Sequence, residues 1–449
     1  MATQDDINNF TSSNSVGCFL KLAAQTYVDT TNRSISVATV DDLPDLSGNT
    51  IIPGTIFYVE SLGVPVIAQV GCWSGLDNRQ LRSDFNTNLI YAWGFPTSGR
   101  LGDNTTVSKS SPVLVAGGFN DWQAVSGTGS HALGIRSNGI AWAWGAGTSG
   151  ELGDNTTVDK SSPVSVVGGF TDWCQVSGGG VHSLGIRTNG TAWGWGANTF
   201  GNIGDNTGGG KSSPVSVVGG FTDWCQVSAG GGRAAGAHSL GVRTNGTAWG
   251  WGCNTGGGQL GDNTTATKSS PVSVVGGFTD WCQVSASVHS LGVRQNGTAW
   301  AWGDGACGRL GDYTTVAKSS PVLVVGGFTD WCQVSAARCH SLGVRQNGTA
   351  WAWGLGTDGR LGDNTVAAKS SPVSVVGGFT NWCQVATGCT HSIGVRQNGT
   401  VWSWGDNTFG QLGHGTLVAR SSPVSVAGGL TGWSQVSAGI VFSTAVRAV

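Results

Sequence analysis

Short apolar segments alternate with turns rich in Gly, Asn and Ser along most of this chain, and no window sustains a helical period. In one representative stretch, apolar runs lie at Pro321–Val325, Trp331–Ser335 and His340–Val344, and Asn347-Gly348 then leads into a Trp-rich run. Asn-Gly between two such runs is typical of a β-hairpin in which both turn residues take positive φ. The pattern therefore predicts an all-β chain with about four short strands in each unit.

This unit occurs seven times. A Trp-Gly pair marks each copy, at intervals of 51, 51, 56, 51, 51 and 51 residues between Trp93 and Trp404. A constant period near 50 residues indicates a repeat architecture. One sheet of 51 residues buries too little apolar surface to fold alone, so the copies must stack, either as an open array or as a closed ring.

The two ends of the repeats favour the ring. The last copy stops at Phe442–Val449, before the Asn-Gly turn and the Trp-containing strand, whereas the first copy begins with that strand at Asn88–Gly94. Placing the N-terminal strand in the C-terminal blade leaves no unpaired edge at the seam. We therefore predict a seven-bladed β-propeller over residues 85–449, closed by its N-terminal strand, after a small β-rich domain over residues 1–84.

The repeat resembles that of the regulator-of-chromosome-condensation family. The similarity rests on residues such as His289-Ser290-Leu291, Asn296–Gly303 and Gly308–Gly311, and it holds in all seven copies. This resemblance implies a propeller whose loops bind a partner. It does not imply one function, because the family includes a nucleotide-exchange factor, a photoreceptor and an enzyme inhibitor.

Composition narrows the function further. Charged residues make up 11% of the chain and the net charge is −2, with Lys and Arg spread around the ring, so we expect no nucleic-acid binding. The polar start Met1–Phe10 and the lack of any 18-residue apolar run argue against a secretory signal and a membrane span. Five of the 11 Cys share one repeat position, which is Gln123 and Ser434 in other copies, so we expect thiols rather than disulfides.

Six histidines occupy one repeat position, with Phe442 in the seventh copy. One interpretation is a metal-binding or pH-sensitive ring, and the other is a buried imidazole bonded to the next blade. Equivalent positions in neighbouring blades are too far apart for zinc, whose ligands lie about 2.0–2.3 Å from the ion, so we predict a structural role and no metal. We predict the same for Trp302 and Trp353, as filler between blades. The histidines are His131, His182, His238, His289, His340 and His391.

Near-identical copies argue against catalysis, which needs groups in unlike environments. We find no catalytic motif and expect neither enzyme activity nor a cofactor. The copies differ mainly in the loop before Leu-Gly and in the loop before His, where recognition residues would lie; neutral drift at solvated turns is the alternative. The predicted binding residues are Arg100, Arg309, Arg360, Phe409 and, in the insertion Ala229–Ala237, Arg233.

Residues 1–84 contain none of the repeat. We predict strands at Ser34–Thr39, Thr55–Val59 and Val64–Val70, the last two as a hairpin. The stretch Asp42–Arg79 resembles short modules in virion proteins of marine tailed phages, which implies that it attaches the chain to a particle.

The two resemblances together lead to one main hypothesis. We expect a non-enzymatic, oligomeric virion protein of a phage tail, baseplate or capsid surface, made in the host cytoplasm. Residues 1–84 would contact other virion proteins, and the propeller loops would contact a host-surface protein or glycan. The alternative is a soluble cellular propeller that acts as an inhibitor or GTPase regulator.

Overall fold

The computed structural model of the chain describes residues 87–231 and 237–449, together with the backbone of four N-terminal strands. Those four strands form one sheet in the order β1 (Tyr27–Val28), β2 (Ser34–Val37), β3 (Thr55–Val59) and β4 (Val64–Ala68). Strands β3 and β4 pair in an antiparallel manner, which confirms the predicted hairpin.

The described residues from Asn88 onwards form seven four-stranded antiparallel sheets, which confirms the predicted seven-bladed propeller. The first two strands in the chain are β5 (Asn88–Gly94) and β6 (Lys109–Leu114). Blade 1 then contains β7 (Trp122–Gly127), β8 (His131–Arg136), β9 (Ala141–Gly145) and β10 (Lys160–Ser165). Blade 2 contains β11 (Trp173–Gly178), β12 (His182–Arg187), β13 (Ala192–Gly196) and β14 (Lys211–Ser216). Blade 3 contains β15 (Trp224–Ala229), β16 (His238–Arg243), β17 (Ala248–Gly252) and β18 (Lys268–Ser273).

The remaining blades follow the same order. Blade 4 contains β19 (Trp281–Ala286), β20 (His289–Arg294), β21 (Ala299–Gly303) and β22 (Lys318–Leu323). Blade 5 contains β23 (Trp331–Ala336), β24 (His340–Arg345), β25 (Ala350–Gly354) and β26 (Lys369–Ser374). Blade 6 contains β27 (Trp382–Thr387), β28 (His391–Arg396), β29 (Val401–Gly405) and β30 (Arg420–Ser425). Blade 7 joins the C-terminal strands β31 (Trp433–Ala438) and β32 (Phe442–Ala448) to β5 and β6.

Blade 7 closes the ring. Strand β5 pairs with β32 from Asn88↔Ala448 to Gly94↔Phe442, so the predicted insertion of the N-terminal strand is confirmed. The structure goes further than the prediction, because β6 also belongs to this sheet and each end of the chain contributes two strands.

The core lies between blades. A typical cluster combines Leu291 and Val293 of blade 4 with Trp331 and Trp353 of blade 5, all fully or almost fully buried. Packing within a blade is tight as well, which explains the Gly in the middle of β24: a Cβ on Gly343 would lie 2.6 Å from the Trp331 ring of the same blade. Burial of such surface stabilises by about 25 cal/mol per Å², so each blade depends on its neighbour.

The hairpin turns differ from the prediction. Gly297 has a φ of +73°, but Asn296 does not adopt positive φ. Gly297 N–H donates to the Arg294 carbonyl, which makes a turn one residue earlier, and the Asn296 side chain accepts from the Thr298 N–H at 3.1 Å. The expected type I′ turn is wrong here because the Asn side chain, and not its backbone, shapes the loop.

The regular structure in the described ranges is otherwise limited to three single 3-10 turns, at Thr97–Gly99, Ala306–Gly308 and Thr357–Gly359. None of the described residues belongs to a helix long and apolar enough to cross a membrane.

Candidate binding face

Two kinds of loop lie on the same side of every blade. Because neighbouring strands are antiparallel, the connection between the first and second strands and the connection between the third and fourth strands emerge at the same end of the sheet. We call these the mouth loops and the rim loops, and the surface that they form the loop face. Both loops that vary between copies therefore lie on one face.

The mouth loops surround an axial cavity of about 190 Å³, to which all seven blades contribute. Small residues such as Gly129, Gly179 and Gly230 form much of its wall. Blades 5, 6 and 7 contribute larger side chains, and Arg338 is the charged residue among the described residues that line the cavity.

The six repeated histidines lie fully buried between blades. Each Nε2 lies 2.7 to 2.9 Å from a serine Oγ of the next blade. Each serine in turn donates its Oγ–H to a backbone carbonyl within the rim loop of the preceding blade, as Ser341 does to Arg309 at 2.8 Å. Since the serine hydrogen is used there, Nε2 must carry the proton that the serine oxygen accepts. The pairs are His131–Ser183, His182–Ser239, His238–Ser290, His289–Ser341, His340–Ser392 and His391–Ser443.

In each His–Ser pair a tryptophan donates to the same backbone carbonyl as the serine, and we call these three residues an inter-blade clasp. Trp353 Nε1 donates to the same Arg309 carbonyl at 2.8 Å, and Trp302 donates likewise to Gln259 at 2.8 Å. Both indole rings are fully buried. The repeated His and Trp positions thus hold one blade to the next.

Burial also keeps the histidines neutral. Desolvation lowers the pKa of His131 and His182 to about 3 and that of His391 to about 4, and it lowers the pKa of His289 and His340 well below the usual value. No group of three or more His, Cys, Asp or Glu in the described ranges could hold a metal ion.

The seam between blades 7 and 1 is built differently. Phe442 replaces the histidine of blade 7, and Ala132 replaces the partner serine of blade 1. Within the described part of the chain, Trp144 Nε1 at this seam finds no hydrogen-bond acceptor. His and Ser are therefore lost together, which indicates that each is needed for the other.

This exchange predicts coupling between His289 and Ser341. Ser341→Ala should lower the free energy of unfolding by about 2 kcal/mol, because it leaves a buried N–H unpaired. The double variant with His289→Phe, which copies the seam between blades 7 and 1, should lose little more stability than Ser341→Ala alone. Urea unfolding of the wild type, the two single variants and the double variant measures the difference. Strictly additive costs would show that the two residues act independently.

The guanidinium groups of Arg309 and Arg360, two of the predicted binding residues, are hydrogen-bonded to backbone carbonyls of the chain. Arg309 Nε donates to the Ala306 carbonyl at 2.7 Å and Nη1 to the Arg338 carbonyl at 2.6 Å, so it joins a rim loop of blade 4 to a mouth loop of blade 5. Arg360 makes the corresponding bonds at 2.8 and 3.1 Å, to Thr357 and Cys389.

Arg100 and Phe409, two further predicted binding residues, also contact other residues of the chain. Arg100 is buried and donates to the Thr97 carbonyl at 2.9 Å, while Phe409 packs on Phe95 with ring centroids 4.4 Å apart. Arg233 lies outside the described residues. A binding role for these residues stays a prediction; those that are described hold the loop face in shape.

Charges on the rim loops are largely matched. Asp103 accepts the Thr105 N–H at 3.1 Å, as expected for an Asx turn, and lies 3.4 Å from Lys109 Nζ. The same ion pair recurs in four further blades. The Asp side chains of these pairs are buried and the Lys side chains are partly exposed, and the pairing leaves this rim without a strong net charge.

Exposed apolar side chains also lie in the rim loops, and they were not among the residues predicted from the sequence. Except for Tyr313, which lies three residues earlier, they lie at or beside one position of the rim loop in blades 4 to 7 and in blade 1, whereas blades 2 and 3 have Gly208–Gly210 and Ala266 there. The signal was visible as apolar residues in turns that are otherwise polar. The exposed residues are Val107, Val158, Tyr313, Val316, Val366, Leu417 and Val418.

Comparison with known proteins identifies the repeat. The family model described as the regulator of chromosome condensation (RCC1) repeat matches residues 88–135, 138–186, 347–395 and 398–446, and a second model of this repeat matches 173–202 and 382–411. The human E3 ubiquitin-protein ligase HERC2 is 28% identical over 352 residues, which are 76% of this chain and 7% of the ligase. The ultraviolet-B receptor UVR8 of Arabidopsis thaliana is 27% identical over 320 residues, 67% of this chain and 69% of the receptor.

Among solved structures, Prp20p of Saccharomyces cerevisiae superimposes with a TM-score of 0.70 at 20% identity, covering 81% of this chain and 92% of that one. At this identity the likeness shows the fold alone. The fold, the repeat models and the related sequences agree. The chain is a seven-bladed β-propeller, and the segments that the two models match are similar to regulator of chromosome condensation repeats.

Proposed function

We propose that this propeller is a non-enzymatic binding protein that regulates a protein partner held against its loop face. The observation that carries the proposal is a division within the chain. The residues that repeat are buried or paired within the ring, whereas the residues that differ between blades gather around the axial mouth and along the rim. A rigid ring with variable tips on one side is suited to recognition.

The similar proteins support this proposal. A ubiquitin ligase and a light receptor contain related sequences, and the yeast protein of the same fold is described with its binding to Gsp1p and histones. The paired rim charges favour a protein surface over a nucleic-acid backbone, which needs an excess of Lys and Arg.

The virion hypothesis receives no support from these relatives. The matches to repeat models fall within residues 88–446, so the phage-like character of Asp42–Arg79, attachment through residues 1–84, contact with a host glycan and location in a particle stay predictions. The boundary between residues 84 and 85 stays a prediction too.

The proposed function predicts that binding depends on one face. Replacing Val107, Val158 and Val366 together with Ser should lower capture of a stoichiometric protein partner about tenfold or more, because these side chains are exposed on the loop face. Quantitative affinity purification with the full chain as bait measures the effect.

The matched control lies on the opposite face. Gln295→Lys with Gln346→Lys alters two exposed residues of the Asn-Gly hairpins and should leave capture unchanged. Loss of the partner with the hairpin variant, and not with the loop-face variant, would place binding on the wrong face and refute the proposal.

A further inference from the structure

We propose that the part of the loop face formed by blades 4 and 5 binds an apolar protein segment that carries a carboxylate, with Tyr313 as the anchor and Arg338 as the partner of the carboxylate. The inference rests on the proposed function and adds to it the place of contact and the chemistry of the partner.

Tyr313 occupies a position that does not suit tyrosine. Its φ is +66°, in the left-handed region, and its side chain is 68% exposed. Five other blades have Asn here with φ between +59° and +63°, and blade 6 has Gly415. Asn and Gly tolerate this conformation, whereas a bulky residue rarely adopts it.

Tyr313 also lacks the side-chain hydrogen bond to the next blade that Asn makes at this position. In the other five blades the Asn oxygen accepts a hydrogen bond of 3.2 to 3.5 Å from a serine on the fourth strand of the next blade. Tyrosine has no amide oxygen to offer Ser370, although its backbone N–H still donates to the Ser370 carbonyl at 2.8 Å. This exposed ring departs from the residue types of the other blades and has no side-chain hydrogen bond or ring contact with a described residue, which points to a contact outside the chain.

Apolar neighbours extend this surface. Val316 follows in the same rim loop, and Val366 lies in the rim loop of blade 5; both are exposed. Tyr313 belongs to the residue types that dominate binding energy when a partner covers them, and aliphatic neighbours exclude water around such an anchor.

Arg338 supplies the charge. It is exposed in the mouth loop of blade 5, and the Arg309 guanidinium holds its carbonyl at 2.6 Å, which fixes the mouth loop to the rim loop that carries Tyr313. The described residues lining the cavity include no Asp or Glu. The Arg338 guanidinium contacts the Cys389 thiol, whose pKa is raised by burial and which is therefore neutral at pH 7. A carboxylate from a partner would meet this guanidinium with strong, directional hydrogen bonds.

The chain provides the decisive variant. Tyr313→Asn restores the residue that five other blades use, so it should leave the thermal midpoint unchanged or raise it. The same change should weaken partner binding about 30-fold, as expected for an anchor residue. A residue with a purely structural role would not raise stability and lower affinity together.

The probe is a displayed library of random 12-residue peptides, selected on the full chain and tested against variants. Enriched peptides should carry Asp or Glu beside apolar residues and should bind Tyr313→Asn and Arg338→Gln at least about tenfold more weakly. Replacing the acidic residue by its amide in the peptide should remove the dependence on Arg338. The double variant Gln295→Lys with Gln346→Lys, in the hairpins of the opposite face, should bind these peptides like the wild type.

Two results would overturn the inference. If the enriched peptides depend on Val158 and other rim residues but not on Tyr313 or Arg338, the loop face still binds and the proposed function survives without this sector. If no enriched peptide depends on any loop-face residue, the proposed function fails with it.

Discussion

Lowering the pH from 7 to 5 is expected to remove most of the free energy of unfolding of this propeller. Five buried histidines have pKa values lowered by desolvation, to about 3 for His131 and His182 and about 4 for His391. In the unfolded chain the pKa of each histidine returns to about 6.5. At a pH between the folded and the unfolded pKa, unfolding therefore takes up one proton per histidine. Each contributes about 1.4 kcal/mol per pH unit, and five contribute about 7.

The direction follows from the sign of the shift. Because the folded pKa values lie below the unfolded value, the histidines add stability above about pH 6.5, and this stability falls as the pH drops toward the folded values. Domains are stable by about 5–15 kcal/mol, so a slope of this size crosses zero within one or two pH units. Lowered carboxylate pKa values, as at Asp205 and Asp406, act in the same direction only at more acidic pH.

Urea unfolding followed by Trp fluorescence between pH 8 and pH 4 measures the slope. The control is the pair His289→Phe and Ser341→Ala, which removes one titrating group while copying the seam between blades 7 and 1; its slope should be smaller by about 1.4 kcal/mol per pH unit. A stability that stays flat down to pH 4 would show that the imidazoles are not buried as the structure has them.

The number of blades and the closure of the ring could be predicted from the sequence because both are one-dimensional signals. The spacing of Trp-Gly pairs counts the units, and the unit interrupted at Phe442–Val449 is complemented by Asn88–Gly94. The place of β6 in blade 7 was not predicted, because the boundaries between repeats in the sequence do not coincide with the boundaries between sheets.

The candidate site was harder to predict. Arg309 and Arg360 stood out as variable charged residues, but their guanidinium groups are bound by carbonyls of the next blade's mouth loop, a contact between residues 29 positions apart that spacing does not reveal. Tyr313 could have been found, because it is the aromatic exception at a position otherwise held by Asn or Gly. Its significance depends on the backbone conformation, which only the structure gives.

Deleting residues 1–114 is expected to abolish folding of the propeller. The deletion removes β5 and β6, and with them the buried residues Ile90, Ala92 and Trp93. Truncating a large buried side chain such as Ile90 or Trp93 costs about 3–5 kcal/mol. Losing both is comparable with the 5–15 kcal/mol that a domain has available, and the deletion also removes the β5–β32 hydrogen bonds. Circular dichroism, Trp fluorescence and size-exclusion chromatography should show an unfolded or aggregated chain.

The matched control is deletion of residues 1–86, which keeps Thr87 and its backbone contact with Val449 at 2.9 Å. This shorter deletion should leave the melting temperature of the propeller almost unchanged, because every pair of the β5–β32 ladder from Asn88↔Ala448 to Gly94↔Phe442 remains.

Adding a peptide of residues 87–116 to the longer deletion tests the closure itself. The open edge of β32 and the exposed Phe442 would take up the peptide, since pairing restores both the hydrogen bonds and the indole contact of Trp93 with the Gln411 carbonyl at 2.9 Å. Rescue should therefore be saturable, and a peptide with Trp93→Ala should rescue more weakly. A longer deletion that folds with native fluorescence and no peptide would mean that six blades hold together without the ring, and that the inter-blade clasps alone are sufficient.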